Sequence, residues 1–374
     1  MQDINFLQKL KIWLRVYQRI RFFKRMYPLS AIIADIFLFP LDYFFNRRRI
    51  TAVRNVTLAI THRCNMRCAM CYFNKKLDIE CDLPLSLYKR VIDSVKKSRP
   101  CIILSGGEPF LHPHLINMVD YAKSLGLAVQ IFTNGTLITP SLTEALVKAK
   151  LDYINFSLLG NEVSHSLVTN TPDAYGRFIN NLEYFAARRQ GTKIILNYTI
   201  TPDGIKDIGH ALKLAMRYKL DGLRIQHYNF LSPSDFRKQA GRMEAVFQAG
   251  PLVNEIEGPK EFNNLAAEVI DFKKRLSRDS KGIPIQWAPD LSNAEIRNWY
   301  SDEEFNTGRK CLFPWRGILV DADGKIYPCS KIYLPCGDIK KQDLFKAWNS
   351  QDMQKFRKAL KKNLFPACSR CCKL

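Results

Sequence analysis

The sequence predicts an α/β fold built on parallel strands, and three observations carry that expectation. From Asn55 onward, short apolar stretches alternate six times with helical ones, which is the pattern of strands joined by crossover helices. The residues least suited to a core, including three closely spaced cysteines and Gly106-Gly107-Glu108-Pro109, fall at or near the C-terminal ends of those strands. In a barrel of parallel strands these ends form one face, where active sites are built. Length is the third: 374 residues exceed one large α/β domain of about 200 to 250 residues, so a second, smaller unit is expected.

The expected elements follow in order. Val56 to Thr61 is the first strand, followed by the cysteine loop and a helix near Ser86 to Ser98 with Leu87, Val91 and Val95 on one face. Cys101 to Ser105 is the second strand, and a helix then runs from Pro113 to a C-capping glycine, Gly126. Leu127 to Thr133 precedes a helix from Pro140 to Lys150, and Asp152 to Leu158 precedes one opened by Thr171-Pro172 as N-cap and first residue. Lys193 to Thr201 and Gly222 to Tyr228 are the last two strands, with a helix through Ile208, Ala211, Leu212 and Ala215 between them. Residues 51–232 form this core. Residues 233–309 read as a helical connecting region, with Ser234 to Ala249 and Lys260 to Leu276 helical and no chemical motif, and 310–374 as a separate C-terminal unit.

Hydrophobic residues make up 47% and charged residues 25% of the chain, which excludes a disordered protein. Eleven cysteines with no cleavable signal pattern predict a reducing, cytoplasmic setting in which clustered Cys bind metal rather than pair. The net charge of +22 leaves nucleic acid, an anionic membrane surface and an acidic substrate as candidate partners. Residues 1–50 stand apart. Leu7, Leu10, Leu14 and Tyr17 recur at helical spacing beside Lys11, Arg15 and Arg19, and an apolar stretch from Leu29 to Phe45 carries Asp35, Pro40 and Asp42 before Arg47-Arg48-Arg49. Two carboxylates and a proline argue against a bilayer span. The expectation is an amphipathic extension in the interface of an anionic membrane, peripheral on its inner face; the alternative is a helix pair packed on the catalytic domain.

Cys64, Cys68 and Cys71 are spaced C-x3-C-x2-C, with Tyr72 next. Three thiolates on a four-iron cube leave one iron open for another ligand; a zinc knuckle with His62 as fourth ligand is the alternative. Together with Ser105-Gly106-Gly107-Glu108-Pro109, this resembles the radical S-adenosylmethionine (SAM) superfamily. The resemblance implies a partial (β/α)6 TIM-like barrel whose open iron binds SAM. It further implies that Tyr72 lies near the adenine, that Gly106 and Gly107 admit the methionyl part of SAM, and that Glu108 partners the methionine amine. Thr133, Asn134, Ser157 and Asn197 match positions that contact ribose and carboxylate. Where many relatives read Ser-x-Asp-Gly, this chain has Ser157-Leu158-Leu159-Gly160, so no carboxylate is available there.

The C-terminal unit opens with Cys311, forms an expected hairpin of Ile318 to Val320 and Ile326 to Cys329 around Asp323-Gly324, and ends in Cys368-Ser369-Arg370-Cys371-Cys372. This order resembles the SPASM/Twitch extension of radical SAM enzymes, and implies that Cys311, Cys329, Cys368 and Cys371 hold one auxiliary [4Fe-4S] cluster, with Cys336 and Cys372 as rivals. A structural zinc on the same thiolates is the alternative. The expected activity is reductive cleavage of SAM and hydrogen abstraction from a small-molecule or lipid-linked substrate, fed by a reductant such as flavodoxin or ferredoxin. A SPASM-type peptide maturase and a non-enzymatic Fe-S or nucleic-acid-binding module are the other classes. The last gives GGEP no purpose, and outside residues 1–50 aromatic side chains are not interleaved with basic ones as stacking platforms.

Overall fold

A computed structural model describes residues 42–43, 50, 53–73, 76–77, 79–253, 258, 262–280, 282–302 and 305–374. The expected membrane-surface extension, residues 1–50, therefore lies outside the described residues apart from positions 42, 43 and 50. No helix among the described residues is long and apolar enough to cross a membrane.

Among the described residues, ten strands form a single sheet in the order β10-β9-β8-β1-β2-β3-β4-β5-β6-β7. Its centre is the expected series: β1 Asn55–Thr61, β2 Cys101–Gly106, β3 Ala128–Thr133, β4 Tyr153–Leu158, β5 Lys193–Thr199 and β6 Gly222–Gln226, all parallel. Two further strands extend the sheet beyond the expected series. β7, Ile285–Ala288, comes from the region read as purely helical and pairs in parallel with β6. β8, Gly317–Val320, belongs to the C-terminal unit but pairs in parallel with β1, and β9 Lys325–Tyr327 and β10 Gly337–Asp338 follow it antiparallel. β8 is the expected first strand of the Asp323-Gly324 hairpin, whereas β7, at four residues, is too short for a clear apolar run, and both take hydrogen bonds from strands far away in sequence. The sheet thus crosses both boundaries, at 232 and 310.

Alternation assigns the two faces. Val56, Leu58, Ile102, Leu104, Val129, Ile131, Ile154, Phe156, Ile194, Leu196, Leu223 and Ile225 join the main core with the helices, whereas Cys101, Tyr153 and Ile195 form a separate small cluster. Partners in register across parallel strands share a face. Ser157, Asn197 and Arg224 are such partners, on the face opposite the main core.

One helix boundary differs from the expectation. Two helices, Glu162–Thr169 and Ala174–Arg188, replace the single one expected after β4. Asn161 Oδ1 caps the first by accepting from the backbone N–H groups of Val163 and Ser164 at 3.0 and 3.1 Å. Asp173, not Thr171, precedes the second. The Asn161 cap, three residues past the end of β4, has no apolar run behind it in sequence.

Two buried histidines make the fold acid-sensitive. His165 and His227 are 1% and 0% exposed, and Nε2 of each is buried without a partner. Burial pushes the pKa of His165 down to about 4; burial, with Lys273 and Arg309 adding to it, pushes His227 down to about 3. Folded pKa values below the unfolded one mean stability present above pH about 6.5 and lost as pH falls. At pH about 4.5 each histidine should cost about 2.7 kcal/mol, at 1.36 kcal/mol per unit. Denaturant unfolding between pH 7 and 4.5 should show His227→Phe losing about 2.7 kcal/mol less than wild type; equal losses would refute the assignment.

Candidate functional site

The cysteine loop leaves the end of β1 and is held by backbone. Arg67 N–H donates to Thr169 O at 3.4 Å and Ala69 N–H to Val168 O at 3.0 Å, so the helix Glu162–Thr169 braces it. Cys64, Cys68 and Cys71 are half-buried and close enough to repel one another's ionisation. Burial, with those neighbours adding, pushes the thiols of Cys64 and Cys68 up to about 11 and 12. They are poised to give up protons only to a metal centre that replaces the charge. Among the described residues no group of three His, Cys, Asp or Glu side chains is placed to hold a single metal ion. A cube, by contrast, spreads its ligands over separate irons.

Gly106 and Gly107 dock the end of β2 onto this loop. Gly107 N–H donates to Thr61 O and Glu108 N–H to Arg63 O, both at 2.8 Å. A Cβ on Gly106, whose φ is +127°, would lie 2.3 Å from Thr61 O, and one on Gly107 would lie 2.1 Å from Arg63 O. The loop's own backbone thus packs against both glycines and leaves no room for a side chain at either position. Glu108 is 1% exposed and accepts from Thr133 Oγ1 at 2.8 Å, Asn134 N–H at 2.7 Å and Phe110 N–H at 3.2 Å. Burial nevertheless raises its pKa to about 7, and no basic side chain among the described residues pairs with it. A buried carboxylate lacking a cation fits the ammonium of SAM. Thr133 donates to Glu108, and Asn134 also donates from Nδ2 to Asn65 Oδ1 at 2.9 Å, so both side chains help position the loop.

The C-terminal cysteines gather on the other side. Cys368 is electrostatically coupled to Cys329 and Cys311, and Cys371 to Cys368. Cys371 also donates to Cys372, whose thiol that hydrogen bond, with Arg224, Lys373 and Lys331 nearby, holds well below the usual range. Cys336 is 3% exposed, and its electrostatic neighbours are Asp352, Arg357 and Cys329. The connecting region anchors this turn. Asp235 Oδ2 accepts from Ser369 Oγ at 3.1 Å and pairs with Arg370 at 2.8 Å, and Arg370 also stacks on Phe230. The region read as motif-free is therefore a brace for the Cys368–Cys372 turn.

Two contacts join the cysteine sets. Tyr333 O–H donates to Tyr72 O at 2.7 Å. Asp321, at the end of β8 and 1% exposed, accepts from His62 Nε2 at 2.9 Å and pairs with Lys76. His62 is thus a partner of the C-terminal unit through Nε2, which argues against its service as a zinc ligand from that nitrogen.

The Radical SAM superfamily pattern matches residues 58–215, and the SPASM iron-sulfur cluster-binding domain matches residues 311–372. The chain belongs to the radical SAM superfamily. It is a radical SAM enzyme with a C-terminal SPASM domain, and its cofactors are SAM and [4Fe-4S] clusters. The tungsten-containing aldehyde ferredoxin oxidoreductase cofactor-modifying protein of Pyrococcus furiosus is 24% identical over 84% of this chain and 86% of that protein. An AdoMet-dependent heme synthase of Methanosarcina barkeri is 26% identical over 82% of this chain and 84% of the relative. Among solved structures, Streptococcus suis SuiB bound to S-adenosylmethionine shares the fold, with TM-score 0.63 and 16% identity over 87% of this chain and 74% of that one.

Within the radical SAM core, β2 and β3 hold Glu108, Thr133 and Asn134 on one side of the cysteine loop, while Ser157 and Asn197 stand together farther along the sheet. Sequence reasoning missed Asp321, Lys76, Asp235 and Arg224. Only Arg224 carried a readable signal, as a charge in the middle of the strand Gly-Leu-Arg-Ile-Gln.

Proposed function

We propose that this enzyme abstracts a hydrogen atom from an unactivated carbon of a small-molecule substrate, with one auxiliary cluster held by Cys311, Cys329, Cys368 and Cys371. When loaded, the cluster at Cys64, Cys68 and Cys71 supplies the electron that splits SAM into methionine and a 5′-deoxyadenosyl radical. Glu108 would take the methionyl ammonium, and its raised pKa lets that cation complete its ionisation. Thr133 and the Asn134 backbone hold Glu108 in place, Tyr72 borders the space between the two cysteine sets, and Ser157 and Asn197 offer neutral polar groups beyond it. The auxiliary cluster would bind substrate or accept the electron that a substrate radical releases. The observation that carries the reading is the lone buried carboxylate beside three clustered thiols. Relatives named for heme synthesis and cofactor modification favour a small molecule over a peptide. Anaerobic reconstitution with SAM and reductant tests this, with cell extract divided into lipid, peptide and polar pools. The polar or lipid pool should raise 5′-deoxyadenosine output, whereas stimulation by peptides alone would select a maturase.

A second reading concerns location. Residues 1–54 hold eleven Lys or Arg against three Asp, net +8, interleaved with apolar side chains, and each cation near an anionic bilayer contributes about 1 kcal/mol. We propose that this extension keeps the enzyme peripheral on the inner face of the membrane, near a lipid-linked substrate. Its end is tethered to the SPASM domain through Asp42 and Arg316, 2.8 Å apart, and Tyr43 against Trp315. Full-length protein should float with anionic vesicles and a chain starting at Thr51 should not; equal flotation would return the substrate to soluble molecules.

A further inference from the structure

Arg224 lies in mid-β6 between Leu223 and Ile225, which are fully buried in the main core. Its own side chain is half-buried on the opposite face, in register with Asn197 and, through it, Ser157. On the same face nearer the strand starts lies the apolar cluster of Cys101, Tyr153 and Ile195, which offers a charge nothing. Nη1 donates to the neutral amide oxygen Asn197 Oδ1 at 3.4 Å, and among the described residues no carboxylate pairs with the guanidinium. Removing a cation from water without an anion is costly. The electrostatic neighbours of Arg224 are instead Tyr72 of the cysteine loop and Cys372 of the C-terminal turn. The guanidinium is therefore within electrostatic reach of both the cysteine loop and the C-terminal turn, on the side of the sheet where a substrate of the proposed reaction has to sit.

We propose that Arg224 docks a carboxylate of the substrate, gripping it with the planar two-donor geometry that distinguishes arginine from lysine, while the Asn197 amide orients the fork. This deepens the proposed function and rests on it. The carboxylate of SAM is the competing occupant. The ammonium that Glu108 would hold lies on the β2 and β3 side, three strands from β6. Asn197 beside Arg224, however, is a position that the family resemblance gives to the ribose or carboxylate of SAM, so the SAM-affinity arm of the test decides between the two occupants.

The test uses the reconstituted holoenzyme with iron coproporphyrin, a four-carboxylate small molecule, and its tetramethyl ester as probes, followed by absorbance titration. Wild type should bind the acid at least tenfold more tightly than the ester. Arg224→Met should bring the acid down to the ester's level, Arg224→Lys should fall between, and SAM affinity should stay within twofold in both. The proposal is overturned if wild type does not distinguish acid from ester, if Arg224→Met binds the acid as wild type does, or if that variant loses SAM instead. A wild-type holoenzyme that forms no 5′-deoxyadenosine from SAM and reductant would refute the underlying function separately.

Discussion

Replacing Cys64, Cys68 and Cys71 together by Ala should abolish 5′-deoxyadenosine formation and halve the iron, from about eight to about four per chain, one cube of four being lost. The loop should survive, because backbone hydrogen bonds to Val168, Thr169 and the Gly107–Glu108 turn hold it rather than the thiols. Cys311, Cys329, Cys368 and Cys371 are anchored separately, through Asp235, Arg370 and the β8–β9 hairpin, so their cluster should remain. Removing the thiols also removes two groups, Cys64 and Cys68, that resist ionisation unless a metal replaces their protons, so the apo variant should be no less stable than the apo wild type. Iron and sulfide analysis after anaerobic reconstitution, with chromatography of the nucleoside product, provides the readout. Residual 5′-deoxyadenosine would sink the assignment of these ligands. Four irons with one tightly bound zinc in the wild type would assign the C-terminal cysteines to structural zinc instead.

The parallel core was legible because its strands are apolar runs, bounded by turn residues, whose hydrogen-bond partners are the next strands in sequence. β1 to β6 appear within a few residues of their expected ends. β7 and the pairing of β8 with β1 were not legible, although β8 itself was expected as the first strand of the Asp323-Gly324 hairpin, because pairing with β6 and β1 is settled by tertiary placement, which a four-residue segment does not announce. The site shows the same division. Cysteine spacing and Gly-Gly-Glu-Pro carry chemistry in their own order, so the ligand candidates could be named. That Thr133 and Asn134 serve Glu108, that the glycines clear room for Thr61 and Arg63, and that Asp235 braces Arg370 are facts about separations of 25 to 135 residues. No local pattern encodes such contacts. Arg224 is the exception in kind, since a lone charge in an apolar strand is a conflict between pattern and residue, and such conflicts concentrate at functional sites.

Asp321→Leu should destabilise the chain by about 3 kcal/mol, the low end of what breaking a buried pair costs, and adding Lys76→Met should recover most of it. Asp321 is 1% exposed and faces His62 and Lys76 across the junction between the cysteine loop and the SPASM hairpin. Burial alone would raise its pKa, but the His62 hydrogen bond and the Lys76 ammonium outweigh burial and hold the carboxyl below its usual range. A depressed carboxylate contributes stability above its unfolded pKa that is lost as pH falls through the folded one, so at neutral pH the full contribution is present. The leucine strands the Lys76 ammonium, whose side chain is 17% exposed and lies 4.4 and 4.6 Å from the ring centres of Tyr327 and Tyr333. Those rings offset part of the loss, which is why the low end applies. The backbone bonds of the turn, Asp321 N–H to Lys325 O and Gly324 N–H to Asp321 O, both 2.9 Å, do not involve the carboxylate and should persist. Denaturant unfolding of wild type, both single variants and the double variant forms a double-mutant cycle. A coupling energy below about 0.5 kcal/mol, the spread expected of independent sites, would mean that the pair does not join the two halves of the enzyme.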